Sequence, residues 1–296
     1  MKTKQTKPNA EPRGFPVMED LTVLEIRAYL ERRHSILVPV GITEQHGYHL
    51  PLSTDALIAT GLARQAGQRL GMLVAPTFTQ CYSGGTLPGT INISPAVMAL
   101  ALGENLASLA VQGFRNFYLF LCHGGSENLR ALQDALQMLL RNNPAFADAL
   151  IALLPVWRLS SPGKGWNAAV ADHDWHAGWL ETSLVMHLAP ERVRLDQLDL
   201  DAEPLQAQLR EHPDNYQQAE KIVDDPFVLA RLSQRPDMRV GVMGHPRRAS
   251  AALGREANDD IVNNLTARIS KIEAGADGRY KKVKFTPAPL MLGDND

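Results

Sequence analysis

Ser35-Ile-Leu-Val-Pro-Val40 runs directly into Gly41-Ile-Thr-Glu-Gln-His-Gly-Tyr-His-Leu-Pro-Leu-Ser-Thr-Asp55. The first six residues are short and apolar without alternation, the pattern of a strand covered on both faces. The next fifteen hold a glutamate, two histidines and an aspartate among two glycines and a proline. A buried strand that empties into a loop of acids and imidazoles predicts a parallel α/β sheet with a site beyond the carboxyl ends of its strands.

The rest of the chain extends that pattern. Met72–Phe78, Asn116–Cys122 and Leu150–Val156 read as further strands. Val23–Arg33, Ala56–Leu70, Pro95–Gln112, Asn128–Arg141 and Glu181–Leu188 read as helices between and after them, and Ala249–Ala274 returns to helical spacing. This alternation predicts an α/β fold, a three-layer α/β/α sandwich with a mainly parallel sheet. Residues 196–238 are more polar and are expected to be helical excursions or an insertion near the surface. The organisation is a disordered arm over 1–16, one domain over 17–275, and a tail over 276–296 whose Phe285 and Leu290-Met-Leu292 could dock on a neighbour.

Composition narrows the function classes. The chain has 296 residues, 45% hydrophobic and 21% charged, with a formal net charge of −2. Such a balance gives no general attraction to nucleic acid or acidic membranes. Two cysteines, Cys81 and Cys122, are no disulfide scaffold, and sparse usage suits a reducing compartment. The polar N-terminus lacks the apolar core of a signal peptide, and no run approaches the ~20 apolar residues of a membrane span. A cytoplasmic protein is expected, with no nucleic-acid or membrane partner.

The residues after each strand carry the chemistry. Glu44, His46, His49 and Asp55 follow the first, Cys81–Thr90 the second, His123-Gly-Gly-Ser-Glu-Asn128 the third and Trp157 the fourth. Glu44 and His46 are two apart, so on extended backbone they point the same way. With Asp55 and His123 they form two carboxylates and two imidazoles, a set suited to Zn²⁺, Mn²⁺ or Fe²⁺. Glu127, four residues beyond His123, offers a fifth ligand, and a shared aspartate would make a two-metal site. His34, His187 and His212 are read as ordinary surface or core histidines. His176, on a Trp-flanked segment before Glu181, has a side chain suited to acid–base work near neutral pH. Glu181 alone would be a helix N-terminal acid. Ser83-Gly-Gly85 and Gly124-Gly125 fit no phosphate-cradling pattern and read as close approaches of backbone to a small substrate or metal.

Assembled in order, Pro39-Val-Gly-Ile-Thr-Glu-Gln-His-Gly47, His49–Asp55, Ser83-Gly-Gly with Leu87-Pro-Gly-Thr90, His123–Asn128, His176-Ala-Gly-Trp-Leu-Glu-Thr-Ser183 and Gly241-Val-Met-Gly-His-Pro246 resemble the creatininase (creatinine amidohydrolase) family from about Leu37 to Leu265. The resemblance implies a metal-dependent hydrolase of amide C–N bonds outside peptides, in a small and often cyclic substrate, assembled as a homo-oligomer, commonly a hexamer. It places Glu44, Asp55 and His123 on one divalent metal (Zn, Mn or Fe), and His46, Asp55 and Glu127 on a second. Ser83 and the backbone around Gly124 would contact substrate, and His176 would pass a proton to the leaving nitrogen. Three departures stand out. Leu121-Cys122 replaces the usual Asn-Gly, and Glu127 is displaced by two residues, which makes Glu181 its substitute. Asp172 and Trp175 exchange the usual acid and tryptophan positions near His176. Trp157, Trp175 and Trp179 are expected to wall a planar substrate. The alternatives are a formamide or linear-amide hydrolase with one catalytic metal, and a non-catalytic metabolite binder.

Overall fold

The computed structural model describes residues 17–287. The arm expected over 1–16 and the Leu290–Leu292 segment lie outside those residues. Four parallel strands, β1 (Ser35–Val40), β2 (Leu73–Val74), β3 (Asn116–Leu121) and β4 (Leu150–Pro155), form a sheet of order β2-β1-β3-β4. Six consecutive residue pairs join β1 to β3, from Ser35 opposite Asn116 to Val40 opposite Leu121. β3 pairs with β4 over the same length. All four strands therefore release their loops at one edge.

The second strand is shorter than its apolar run predicts, and the reason is local. Pro76 has no N–H to give a ladder, and Pro39 on the facing strand has none either. Pairing stops at Val74 and resumes only at Phe78, whose N–H donates to the Pro39 carbonyl at 2.9 Å.

Side-chain alternation divides the core into two layers. On one face Leu37, Tyr118 and Phe120 pack with Ile58 and Leu62 of α2 (Thr54–Leu70), Leu180 and Leu184 of α6 (Trp179–Leu188), and Ile261 and Leu265 of α8 (Ala251–Gly275). On the other, Ile36, Val38, Val40, Leu119 and Leu121 meet Met98, Leu102 and Leu106 of α3 (Pro95–Gln112) and Leu132 and Leu136 of α4 (Ser126–Asn142). α1 (Val23–Leu30) flanks this second layer and opens on a capping box, Thr22 with Glu25. The result is the expected α/β/α sandwich.

The polar stretch 196–238 holds one helix, α7 (Glu203–Glu211), and a two-stranded antiparallel hairpin, β5 (Gln217–Glu220) with β6 (Arg231–Gln234), which helical spacing did not anticipate. A short helix, α5 (Gly165–Ala171), was likewise unanticipated. Residues 276–287 carry no helix or strand, yet Tyr280 donates its hydroxyl to the Ala149 carbonyl at 2.8 Å. Phe285 is exposed, so it docks on nothing within the described chain. Among the described residues, no helix is long and apolar enough to cross a membrane.

The helices α6 and α8 cross at backbone distance. A Cβ on Gly254 would lie 1.8 Å from the Ser183 carbonyl oxygen. Glycine inside a helix costs about 1 kcal/mol against alanine, so its presence here marks a contact that outweighs propensity. Gly254→Ala is expected to lower stability by about 1–3 kcal/mol through overpacking. Urea unfolding followed by circular dichroism should show a lower midpoint at an unchanged slope.

Candidate metal centre and active-site cavity

Chain segments far apart in sequence meet at the sheet's carboxyl edge. The loop after β1 carries Glu44 and His46, then folds back so closely that a Cβ on Gly41 would lie 2.6 Å from the Ala56 nitrogen. That approach delivers Asp55, in the first turn of α2, to the same point. β3 delivers His123, and the first turn of α6 delivers Glu181. All five side chains are buried.

Asp55 is the centre of the group. Its Oδ1 lies 3.1 Å from His46 Nε2 and its Oδ2 lies 3.0 Å from His123 Nδ1. Glu44 Oε2 stands 3.2 Å from His123 Nδ1, and Glu181 Oε2 stands 3.7 Å from His46 Nε2. Each imidazole uses its other nitrogen as a donor to backbone, His46 Nδ1 to the Glu44 carbonyl at 3.1 Å and His123 Nε2 to the Tyr82 carbonyl at 3.0 Å. Those bonds fix the tautomers that turn a lone pair toward the carboxylates, as metal ligands require. Glu44 Oε2 is a buried acceptor without a hydrogen-bond donor.

Three sets of ligand atoms lie close enough for a divalent ion; beside Glu44/His46/His176, two share Asp55, namely Glu44/Asp55/His123 and His46/Asp55/Glu181. The oxygen and imidazole donors suit Zn²⁺ or Mn²⁺. Glu127 is not in either set. It stands at the first turn of α4 and lines the adjoining cavity, while Glu181, its substitute, holds the place beside His46.

Charges within the group are strongly displaced. Burial opposes a proton on His46, but Asp55, Glu181 and Glu44 outweigh it and raise its pKa to about 10. His123 is raised by Glu44 and Asp55 against the same burial. Burial also pushes Glu181 up, to about 8, with Asp55 adding to it against His46. Glu44 falls to about 2 despite burial, because His123 and His176 face it, and Asp55 is lowered by His46 and His123.

His176 stacks on His46 with ring centroids 4.2 Å apart. Burial, and then the charge on His46, lower its pKa to about 4, so it is neutral at physiological pH. Its Nε2 lies 2.8 Å from the Gln45 carbonyl and 3.0 Å from the Gln45 side-chain amide. A proton on Nε2 satisfies the carbonyl and leaves Nδ1 to exchange protons.

The cluster opens into a cavity of about 410 Å³. Gly124, Trp157, Trp175 and Ser83 line it. Ser83, however, donates its hydroxyl to Glu44, so it aims a candidate ligand rather than standing free for substrate. Asp172 does not line the cavity: it caps α5 and pairs with Arg248 at 2.9 Å. Trp179 is buried in the main core with Arg248 over its ring, and walls no substrate space. His49, assigned no ligand role, is buried against the Thr182 hydroxyl at 2.9 Å. The cavity also holds residues that spacing alone passed over: Gln45, His212, Asp214, Tyr216, Met238 and Met243. Most come from the polar stretch, where no strand end pointed to them. Gln45 lay inside the quoted Glu44–His46 motif and could have been found there.

The comparisons with known proteins agree with this architecture. The chain is similar to a mycofactocin precursor peptide peptidase from Mycobacterium ulcerans, 32% identical over 279 residues that span 90% of this chain and 96% of that one. It is 28% identical over 183 residues to a creatinine amidohydrolase from Pseudomonas putida, 55% of this chain and 67% of that one. A solved manganese creatininase superposes with a TM-score of 0.69 at 21% identity, over 87% of this chain and 98% of that one. The family model described as creatinine amidohydrolase matches residues 19–269, and with that span of sequence, fold and clustered ligands the chain belongs to the creatininase family.

Proposed function

We propose that this creatininase-family amidohydrolase binds two divalent metals, zinc or manganese, and hydrolyses an amide bond in a peptide-derived substrate. The observation that carries the reading is Asp55, whose two oxygens face two differently held imidazoles. Glu44, Asp55 and His123 would hold one ion, and His46, Asp55 and Glu181 the other. When bound, such ions activate water and polarise a carbonyl. His176, neutral and buried, takes the proton lost by the attacking water at Nδ1 and returns it to the leaving nitrogen as the C–N bond breaks. Gln45 holds that ring through Nε2, and Ser83 holds Glu44.

Two observations favour a peptide-derived amide over a small ring. The cavity of about 410 Å³ has room beyond a single small lactam, and the relatives named for peptide cleavage align across nearly the whole chain. The second reading, a small cyclic amide, has the support of the creatinine amidohydrolase match over half the chain. A homo-oligomer is part of the proposal. The eighteen residues of α3 carry one charged side chain, Glu104, and leave Val97, Leu100 and Val111 exposed. A helix apolar on both sides is expected to be covered. Sedimentation velocity should find more than one chain per particle, and a monomer would contradict it.

Metal-loaded protein is expected to cleave a peptide amide bond in a panel that includes linear peptides and lactams, followed by mass spectrometry. Turnover of lactams alone would favour the second reading. His176→Ala should keep its metal and lose about 10²–10⁴-fold in kcat, whereas Glu44→Ala and His123→Ala should lose metal and activity together.

Metal uptake is also expected to release protons. At pH 7 the metal-free site keeps His46 and Glu181 protonated, with pKa values of about 10 and about 8, and Glu44 and Asp55 raise that of His123 well above the ordinary histidine value. Ligation needs all three deprotonated, so affinity should rise with pH. Titration calorimetry in two buffers of different ionisation enthalpy should give different apparent heats. Identical heats would contradict the ligand set.

A further inference from the structure

Glu127 is the acid that the metal cluster leaves over. It lines the cavity from the first turn of α4, and its carboxylate makes no hydrogen bond or ion pair among the described residues. Its Oε2 comes within 3.5 Å of the position that a Cβ would take on Gly84. Of the hydroxyls nearby, Tyr216 donates to the Ser83 carbonyl at 3.0 Å and Ser83 donates to Glu44, while the Tyr82 hydroxyl, close enough to feel the Glu127 charge, makes no hydrogen bond to it. Glu127 therefore faces the cavity half-buried and without a protein partner among the described residues.

The rest of the lining sharpens this. Apart from the ligand cluster, its ionised side chains are Glu127 and Asp214, both acids, and no Lys or Arg lines it among the described residues. His212 turns its Nδ1 to the Asp214 N–H, from which it accepts at 3.1 Å. The remaining wall is aromatic and apolar: Trp157, Trp166, Trp175, Met238 and Met243. Glu44, Asp55 and Glu181 are answered by two imidazoles and by the ions they would hold. Among the described residues, no hydrogen bond or ion pair answers the carboxylate of Glu127 or that of Asp214, the latter at the exposed rim.

We propose that Glu127, seconded by Asp214, is a specificity-determining residue, and that it selects substrates carrying a protonated amine on an apolar or aromatic group seated in this cavity. The proposal rests on the amidohydrolase reading above. A neutral group leaves the Glu127 carboxylate unsatisfied and an anionic one adds repulsion. An ammonium gains a charge-assisted hydrogen bond, and the tryptophan faces favour the same cation.

The test uses benzylamine and its uncharged isostere benzyl alcohol as probes of the metal-loaded full chain, with binding measured by calorimetry. Benzylamine is expected to bind about tenfold more tightly than the alcohol, the scale of one charge-assisted contact. Glu127→Gln should erase that advantage and leave the alcohol's affinity within about twofold, and Asp214→Asn should reduce it partly. Metal content of Glu127→Gln should equal that of the parent. Equal binding of the two probes, or binding of neither, overturns the proposal. So does a Glu127→Gln protein that keeps the amine preference or that loses a metal equivalent, since Glu127 would then be a ligand. Amide hydrolysis by the parent protein is scored separately, so failure of the amine preference leaves the amidohydrolase reading standing, and loss of hydrolysis does not masquerade as a specificity result.

Discussion

One carboxylate between two imidazoles sets the terms for the rest of the molecule. Asp55 turns one oxygen to His46 and the other to His123, and Glu44 and Glu181 stand behind them. Three buried acids and two histidines are expensive to gather away from water, and worthwhile only if each is paired or bound to an ion. The backbone supplies the stiffness this needs. Carbonyls of Glu44 and Tyr82 hold the outer nitrogens of the two rings, and the Ala177 N–H holds Glu181 at 2.6 Å. None of those partners is a flexible side chain, so the lone pairs keep their aim.

The same economy extends outward to the segments that bring His176 into place. Asp174 is buried and accepts from the Trp179, Leu180 and His245 amides, which ties the His176 segment to the start of α6 and to residues 244–246. Asp201 accepts from the amides of Arg239, Val240 and Gly241. Gly241, at φ +74°, leaves room for the Gln45 side chain, where a Cβ would lie 2.6 Å from its amide nitrogen. Gln45 in turn holds His176. Two buried aspartates thus position His176, the residue proposed to move the proton.

The central fold was legible because its signals are local. Continuous apolar runs separated by amphipathic ones can satisfy their backbone and bury their faces in few other ways, and β1, β3 and β4 fall within a residue or so of their expected ends. The four ligand candidates Glu44, His46, Asp55 and His123 were legible for a related reason, since each follows a strand or opens the helix after it. What spacing could not show was three-dimensional. The segment from His212 to Met238 forms one wall of the cavity, yet nothing in its polar composition distinguishes a wall from a surface excursion. Trp179 and Asp172 sit beside cavity-lining Trp175 in the chain, but a helix start turns one into the core and an ion pair with Arg248 turns the other away.

The exchange between Glu127 and Glu181 shows why a ligand's sequence distance is weaker evidence than its element. His123 and Glu127 are four apart, but α4 begins only at Ser126, so Gly124 and Gly125 form a loop between them and the two do not share a helix face. The carboxylate of Glu127 is carried past the ligand cluster to the cavity wall. Glu181 reaches the cluster from a different layer, because Gly178 lets α6 start hard against Asp174. Its acid in that first turn lies where the helix dipole favours negative charge. In the proposed centre α6 supplies the second carboxylate, which leaves α4 without a ligand to contribute and its acid facing whatever enters the cavity.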